Sequence, residues 1–113
     1  MSRASDKRRP GYLTPQERAA RFDALTALGC VVCLREGRGY TAPEIHHLRG
    51  SPWSGAGQRA TDAHTIPLCL QHHRHGPDGY HHSPATFESR YGTQAELLAA
   101  TNDALEYSEG LPW

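Results

Sequence analysis

No stretch of this 113-residue sequence is apolar for long enough to cross a bilayer, and its first residues, MSRASDKRRPGY, are polar and basic rather than a hydrophobic leader. A soluble protein of a reducing cytoplasm is therefore expected, with no membrane partner. Cysteine is scarce, and the three present cannot all pair within the chain, so their spacing points to a metal before a disulfide. Excess charge is lacking too. Twelve Lys and Arg balance twelve Asp and Glu, so net charge neither supports nor excludes a polyanionic partner, and only its distribution can. Internal repeats and low-complexity tracts are absent. The length allows one modest domain with a limited core, for which a metal staple is a common supplement.

The distribution of charge is uneven. Residues 1–12 carry Arg3, Lys7, Arg8 and Arg9 against Asp6, whereas Glu88, Glu96, Asp103, Glu106 and Glu109 are offset after position 87 only by Arg90. Residues 1–13 lack periodicity and read as a disordered basic arm, with Lys7, Arg8 and Arg9 as candidate DNA contacts. The arm reads equally well as a solubilising tail. Residues 14–113 are expected to form a single domain.

Thr14, Pro15 and Glu17 have the pattern of a capping box that opens a helix with Ala19, Phe22, Leu25 and Leu28 as its apolar stripe and Gly29 as its stop. Glycine-broken extended pieces follow, giving a strand near 40–46 and another near 64–68, joined by a Gly/Ser-rich loop. A short helix is expected from about Leu70 to Arg74. Ser83-Pro84 opens another that carries Phe87 and Tyr91 and closes at Gly92. Thr93 with Glu96 makes a second capping box, starting a last helix to about Tyr107 with Leu97, Leu98, Ala100 and Leu105 near one face. The predicted class is α+β, with the small sheet mid-chain.

Cys30-x2-Cys33 and Cys69-x2-His72 are two ligand pairs with equal gaps, and together they use every cysteine. Each turn can present two ligands to one tetrahedral ion, so a structural Zn²⁺ on Cys30, Cys33, Cys69 and His72 is expected. Buried cysteines without metal are the plainer alternative. All eight histidines fall between His46 and His82, a density that ordinary surface use does not explain. His46 and His47 end the first strand, where neighbours point to opposite faces. One imidazole can therefore ligate an ion while the other approaches as a base.

The runs EIHHL at 44–48, HTIPLC at 64–69 and LCLQHH at 68–73 resemble the HNH (ββα-metal) endonuclease motif framed by a zinc. The resemblance covers a core of about residues 30–92, flanked by an N-terminal helix and C-terminal helices. It implies His46 as ligand to a catalytic divalent ion (Mg²⁺, Mn²⁺ or Zn²⁺), His47 as general base and His73 as a further ligand. His64, five residues before Cys69, stands where that family often has Asn. It is the expected partner of His47 in catalysis, with Asp62 a substitute. The stretch GYHHSPATFESRYG at 79–92 is similar to a narrower branch, the phage recombination-enhancement (Ref) RecA-dependent nucleases and related prophage nucleases. That likeness implies His81 as third ligand, with His75 or His82 as alternatives, a RecA filament as partner, and a bacterial host cytoplasm.

Arg49, Arg59 and Arg74 flank the motif as candidate phosphate contacts. The expected activity is hydrolysis of DNA phosphodiester bonds, with RNA, and nicking against double-strand cleavage, left open. Two other classes remain: a non-catalytic zinc module that binds DNA or protein, and a metallohydrolase acting on small phosphoesters.

Overall fold

The structure is a computed structural model that describes residues 10–110 apart from residue 56, the side chains of residues 107–110 lying outside it. Lys7, Arg8 and Arg9 therefore lie outside the described residues.

Helix α1 (Pro15–Leu28) starts as the local sequence dictates. Glu17 N donates to Thr14 Oγ1 at 3.2 Å and Thr14 N donates to Glu17 Oε1 at 2.9 Å, which satisfies two otherwise orphaned N–H groups. It ends at Gly29, whose φ of 88° is paired with an extended ψ of 176°. A Cβ at Gly29 would lie 2.7 Å from Tyr40 Cδ1, so this stop needs glycine for space as well as conformation. The expected stripe is only partly realised: Leu25 is buried, Phe22 and Leu28 are half-buried, and Ala19 is exposed. Phe22 turns instead towards His47, with ring centroids 6.2 Å apart.

A short helix α2 (Val31–Arg35) follows, and its capping side chain is Cys30, whose Sγ accepts from Cys33 N. Strands β1 (Pro43–His47) and β2 (Thr65–Cys69) pair antiparallel in the register Pro43↔Cys69, Ile45↔Pro67 and His47↔Thr65. Both lie later than the sequence reading placed them. The stretch at 40–42 is taken up in joining the end of α1, because Cys30 N donates to Thr41 O and Tyr40 Oη to Thr26 O. Each strand is an edge, which accommodates Pro43 and Pro67. Every residue of β2 is buried, covered by α1, α2 and α5.

The predicted helical turn after β2 is a π-helical one, α3 (Gln71–His75), closed by Gly76 N donating to Gln71 O. The wider turn leaves the carbonyls of His72 and His73 to accept from Tyr80 N and His81 N. This close return passes through Gly79, where a Cβ would stand 2.8 Å from Gln71 O. Helices α4 (Pro84–Tyr91) and α5 (Gln94–Gly110) complete the chain, α5 running past the expected end near Tyr107. The second capping box is present, since Thr93 N donates to Glu96 Oε1 and Glu96 N to Thr93 Oγ1.

The core joins Val31 and Val32 of α2, Leu48, Ile66 and Leu68 of the hairpin, Phe87 of α4 and Leu97 of α5. The fold is thus a mixed helix-and-strand one with its sheet mid-chain. Among the described residues no helix is long and apolar enough to cross a membrane. Pro10, the first described residue, meets the loop before β2, where Thr61 Oγ1 donates to Pro10 O.

Half-buried Arg21 straps three elements together. Its Nε donates to Thr65 Oγ1, its Nη2 to Thr65 O and its Nη1 to Asn102 Oδ1, at 2.6–3.1 Å. Replacing it strands two acceptors of fully buried Thr65, so Arg21→Ala is expected to lower unfolding stability by about 2 kcal/mol in denaturant titration, against a negligible loss for Arg38→Ala on the surface.

Candidate functional site

Two clusters of metal-ligating side chains meet around α3. The first joins the N-terminus of α2 to the end of β2: Cys30, Cys33, Cys69 and His72 are all buried, with ligand atoms within 4.8 Å of one another. His72 Nδ1 stands 3.6, 3.7 and 3.2 Å from the sulfurs of Cys30, Cys33 and Cys69, and Cys33 Sγ is 3.9 Å from Cys69 Sγ. A tetrahedral zinc with ordinary bond lengths separates sulfur from sulfur by about 3.8 Å and sulfur from nitrogen by about 3.6 Å. The cysteines form no disulfide. Burial pushes the Cys30 thiol up to about 12, so a thiolate there needs a cation beside it. Burial also pushes the His72 imidazole down, which leaves its ring neutral and able to ligate. The four residues form a possible zinc-binding site.

The second cluster is His46, His73 and His81, whose ligand nitrogens likewise fall within 4.8 Å. Ring centroids are 5.1 Å apart for His46 and His73, 5.3 Å for His46 and His81, and 4.7 Å for His73 and His81. His73 Nε2 and His81 Nε2 are 3.0 Å apart, a distance at which either a proton or a cation must lie between them. Two nitrogens bound at right angles to one ion at 2.0–2.1 Å stand about 3.0 Å apart. His75, His81 and His82 are all exposed, and of these three alternatives it is His81 that the structure brings to the other two.

Each ring is held by a partner from elsewhere in the chain. His73 Nδ1 donates to Glu44 Oε1 at 2.8 Å. Glu44 is in turn gripped by both Nε and Nη2 of Arg74, and these hydrogen bonds, that from Arg74 foremost, hold its carboxyl down at about 2. Expected as a phosphate contact, Arg74 is thus committed to Glu44. His46 is almost wholly buried, and burial pushes it down to about 3. Its Nε2 lies 3.1 Å from Gln94 Oε1. His81 is also pushed down, by burial first and then by His73.

On the other face of β1, half-buried His47 donates from Nε2 to Asp62 Oδ1 at 2.9 Å, leaving Nδ1 as its lone-pair nitrogen. The orienting part expected of His64 falls to Asp62. His64 Nδ1 is within 3.1 Å of Thr61 Oγ1, and its carbonyl accepts from Leu48 N, so its position in the loop directs it there. A cleft of about 440 Å³ opens beside His47, bounded by Arg49, Ser54, Gln58 and Arg59. A second, of about 540 Å³, reaches Tyr80 and Gln94 next to the histidine cluster, and Arg49 lines both.

Glu44 and Gln94 were missed as site residues in the sequence reading. Glu44 sits two residues before His46 in EIHHL, a carboxylate on the same strand face, and that spacing was the available signal. Gln94 gave none, since it follows a capping threonine where exposed residues are usual.

A family model described as a protein of unknown function, DUF968, matches residues 21–107. This chain belongs to the DUF968 family. The matched span contains both clusters, Asp62 and Gln94. The uncharacterized protein YdfU of Escherichia coli (strain K12) is 36% identical over 69 residues, covering 61% of this DUF968 chain but 17% of YdfU. The chain therefore spans about a sixth of the length of that relative.

With zinc supplied, the purified DUF968 chain is expected to retain one ion on the sulfur cluster. Because binding energy at such a site is folding energy, Cys33→Ala should lose that ion and its cooperative melting transition. A Cys33→Ala protein that melts like wild type would show the cluster to be merely three buried thiols.

Proposed function

We propose that this chain is a metal-dependent endonuclease of the HNH (ββα-metal) type that hydrolyses DNA phosphodiester bonds. The observation that carries the reading is the convergence of His46, His73 and His81 beside a strand whose next residue, His47, is paired with a carboxylate. The order of an antiparallel hairpin followed by the α3 turn supports this reading.

In this reading His46, His73 and His81 hold one divalent ion, which when bound polarises the scissile phosphate and offsets charge on the leaving oxygen. Glu44 keeps His73 in the tautomer whose Nε2 carries the lone pair, as carboxylates behind ligating histidines commonly do. Asp62 does the same for His47 in mirror order, so that Nδ1 is free to accept a proton. Water placed in the cleft beside His47 gives that proton to Nδ1 and attacks phosphorus. The bond from phosphorus to the 3′ oxygen breaks, and that oxygen leaves as a hydroxyl after taking a proton from solvent. Arg49 and Arg59, which line the cleft, hold the phosphate backbone without reading sequence. Lys7, Arg8 and Arg9 are proposed as further DNA contacts on their charge alone. The Cys30, Cys33, Cys69 and His72 cluster with zinc fixes α3, and therefore His73, against β1.

The likeness of residues 79–92 to the Ref branch supports a RecA filament as partner, which makes cutting conditional on a loaded single strand. The basic arm is compatible with that role.

Plasmid cleavage in Mg²⁺ or Mn²⁺, with and without RecA and single-stranded DNA, tests both levels. Wild type should cut, and more strongly once RecA is loaded. His47→Ala should keep its zinc and its fold while losing at least about 10²-fold in rate, and Asp62→Ala should fall between the two. Equal rates for His47→Ala and wild type would remove His47 as the base. One zinc per chain with no cleavage under any condition would favour a non-catalytic binding module.

A further inference from the structure

Gln94 is only 5% exposed although it opens a helix, and both ends of its amide are engaged. Arg49 N donates to Oε1 at 2.9 Å, and Nε2 donates to Arg49 O at 2.9 Å. The backbone of Arg49 offers one donor and one acceptor in fixed places, so the amide has a single satisfied orientation, with the oxygen facing His46. That oxygen lies 3.1 Å from His46 Nε2. An amide oxygen only accepts, so Nε2 must carry the proton and Nδ1 the lone pair.

We infer that Gln94 is a positioning residue of the three-histidine centre: it selects the His46 tautomer with Nδ1 free to ligate and pins the chain that leaves β1. The inference rests on the proposed reading of His46, His73 and His81 as one metal centre. Glu44 does the corresponding work for His73, but from the neighbouring strand position and as a charged group. Gln94 differs because it is neutral and comes from α5. Its grip on Arg49 also sets where that arginine leaves the strand, on the wall shared by the two clefts. Gln94 therefore connects two parts of the site, the metal-ligating ring and the cationic wall, through one buried amide. A neutral acceptor is apt beside a ligand that must stay uncharged in a buried place, because it adds no charge of its own to be desolvated.

The test uses the full chain loaded with one equivalent of zinc. Nitrogen spectra of ¹⁵N-histidine-labelled protein report the His46 tautomer, and calorimetric titration with Mn²⁺ reports the second site. Wild type should show His46 protonated at Nε2. Gln94→Met keeps length and apolar packing but removes the acceptor, and should lose that tautomer preference and bind Mn²⁺ about ten- to a hundredfold more weakly. Gln94→Glu keeps an acceptor for both His46 and Arg49 N while losing the donor to Arg49 O, and should retain the tautomer. A purely structural glutamine would leave the tautomer of the folded Met variant unchanged, and that result, or wild-type His46 protonated at Nδ1, would overturn the inference. The wild-type spectrum decides the point even where the Met variant fails to fold. Wild type that takes zinc but no Mn²⁺ would instead overturn the metal-centre reading, and the tautomer spectra would then stand as the test of Gln94 alone.

Discussion

The geometry of this chain depends on the closure of Cys30 and Cys33 upon Cys69 and His72. A two-stranded hairpin alone is marginal in water, and a chain of this size buries a limited core. Here the hairpin is anchored where the sulfur cluster ties the end of β2 and the first turn of α3 to the start of α2. Burial makes an isolated Cys30 thiolate unfavourable, so a cation at this point would convert a desolvation cost into a cross-link between segments 36 residues apart. His72 and His73 are adjacent in α3, and the π-helical turn directs one ring into the sulfurs and the next towards Glu44. Whatever fixes His72 therefore also fixes His73.

The hairpin's alternation does the remaining sorting. His46 faces inwards to Gln94, Tyr80, His73 and His81, while His47 faces Asp62 and Phe22. Two chemically identical side chains, next to each other in sequence, thus acquire different hydrogen-bond partners. His46 donates a hydrogen bond from Nε2 to an amide oxygen, and His47 donates one from Nε2 to a carboxylate oxygen. Under the proposed reading this difference is functional: the carboxylate behind His47 suits a ring that must take up a proton and become a cation, whereas the amide behind His46 adds no charge in its buried place.

What the sequence made legible was local or was carried by rare residues. Thr14 with Glu17 and Thr93 with Glu96 announce their helices because a capping box is satisfied within four residues. The cysteine pairs announce the sulfur cluster because two equal gaps take in all three cysteines. The partners that hold the rings were not legible in the same way. His46 meets Gln94 across 48 positions, and a single sequence cannot place a glutamine of α5 against β1. Asp62 was in view only as a substitute for His64, since both fall in one irregular loop and side-chain direction there is set by bonds such as Thr61 to His64. Arg74 was expected at phosphate because its partner Glu44 is 30 residues away in sequence. The strand limits shifted, and the turn after β2 came out π-helical, for tertiary reasons: the pull of Thr41 towards Cys30 and the return of Tyr80 and His81 to α3.

Under the proposed reading, with a divalent ion in each cluster, charge would separate their roles more sharply than ligand identity does. Three thiolates and a neutral imidazole around a divalent ion sum to a net negative charge, enclosed among buried residues, with little to attract a polyanion. Three neutral imidazoles around a divalent ion leave its full positive charge. The nearest carboxylate, Glu44, is neutralised by Arg74, so it can orient His73 without cancelling that charge. Burial first, and Arg49 as a smaller contribution, lowers both His46 and His81, which favours their neutral forms, and Arg49 places a cation on the side of the clefts. Under the proposed reading, the field at the histidine cluster would be the one a phosphodiester meets, while the sulfur cluster, a short distance along the same turn, would supply rigidity without competing for the substrate.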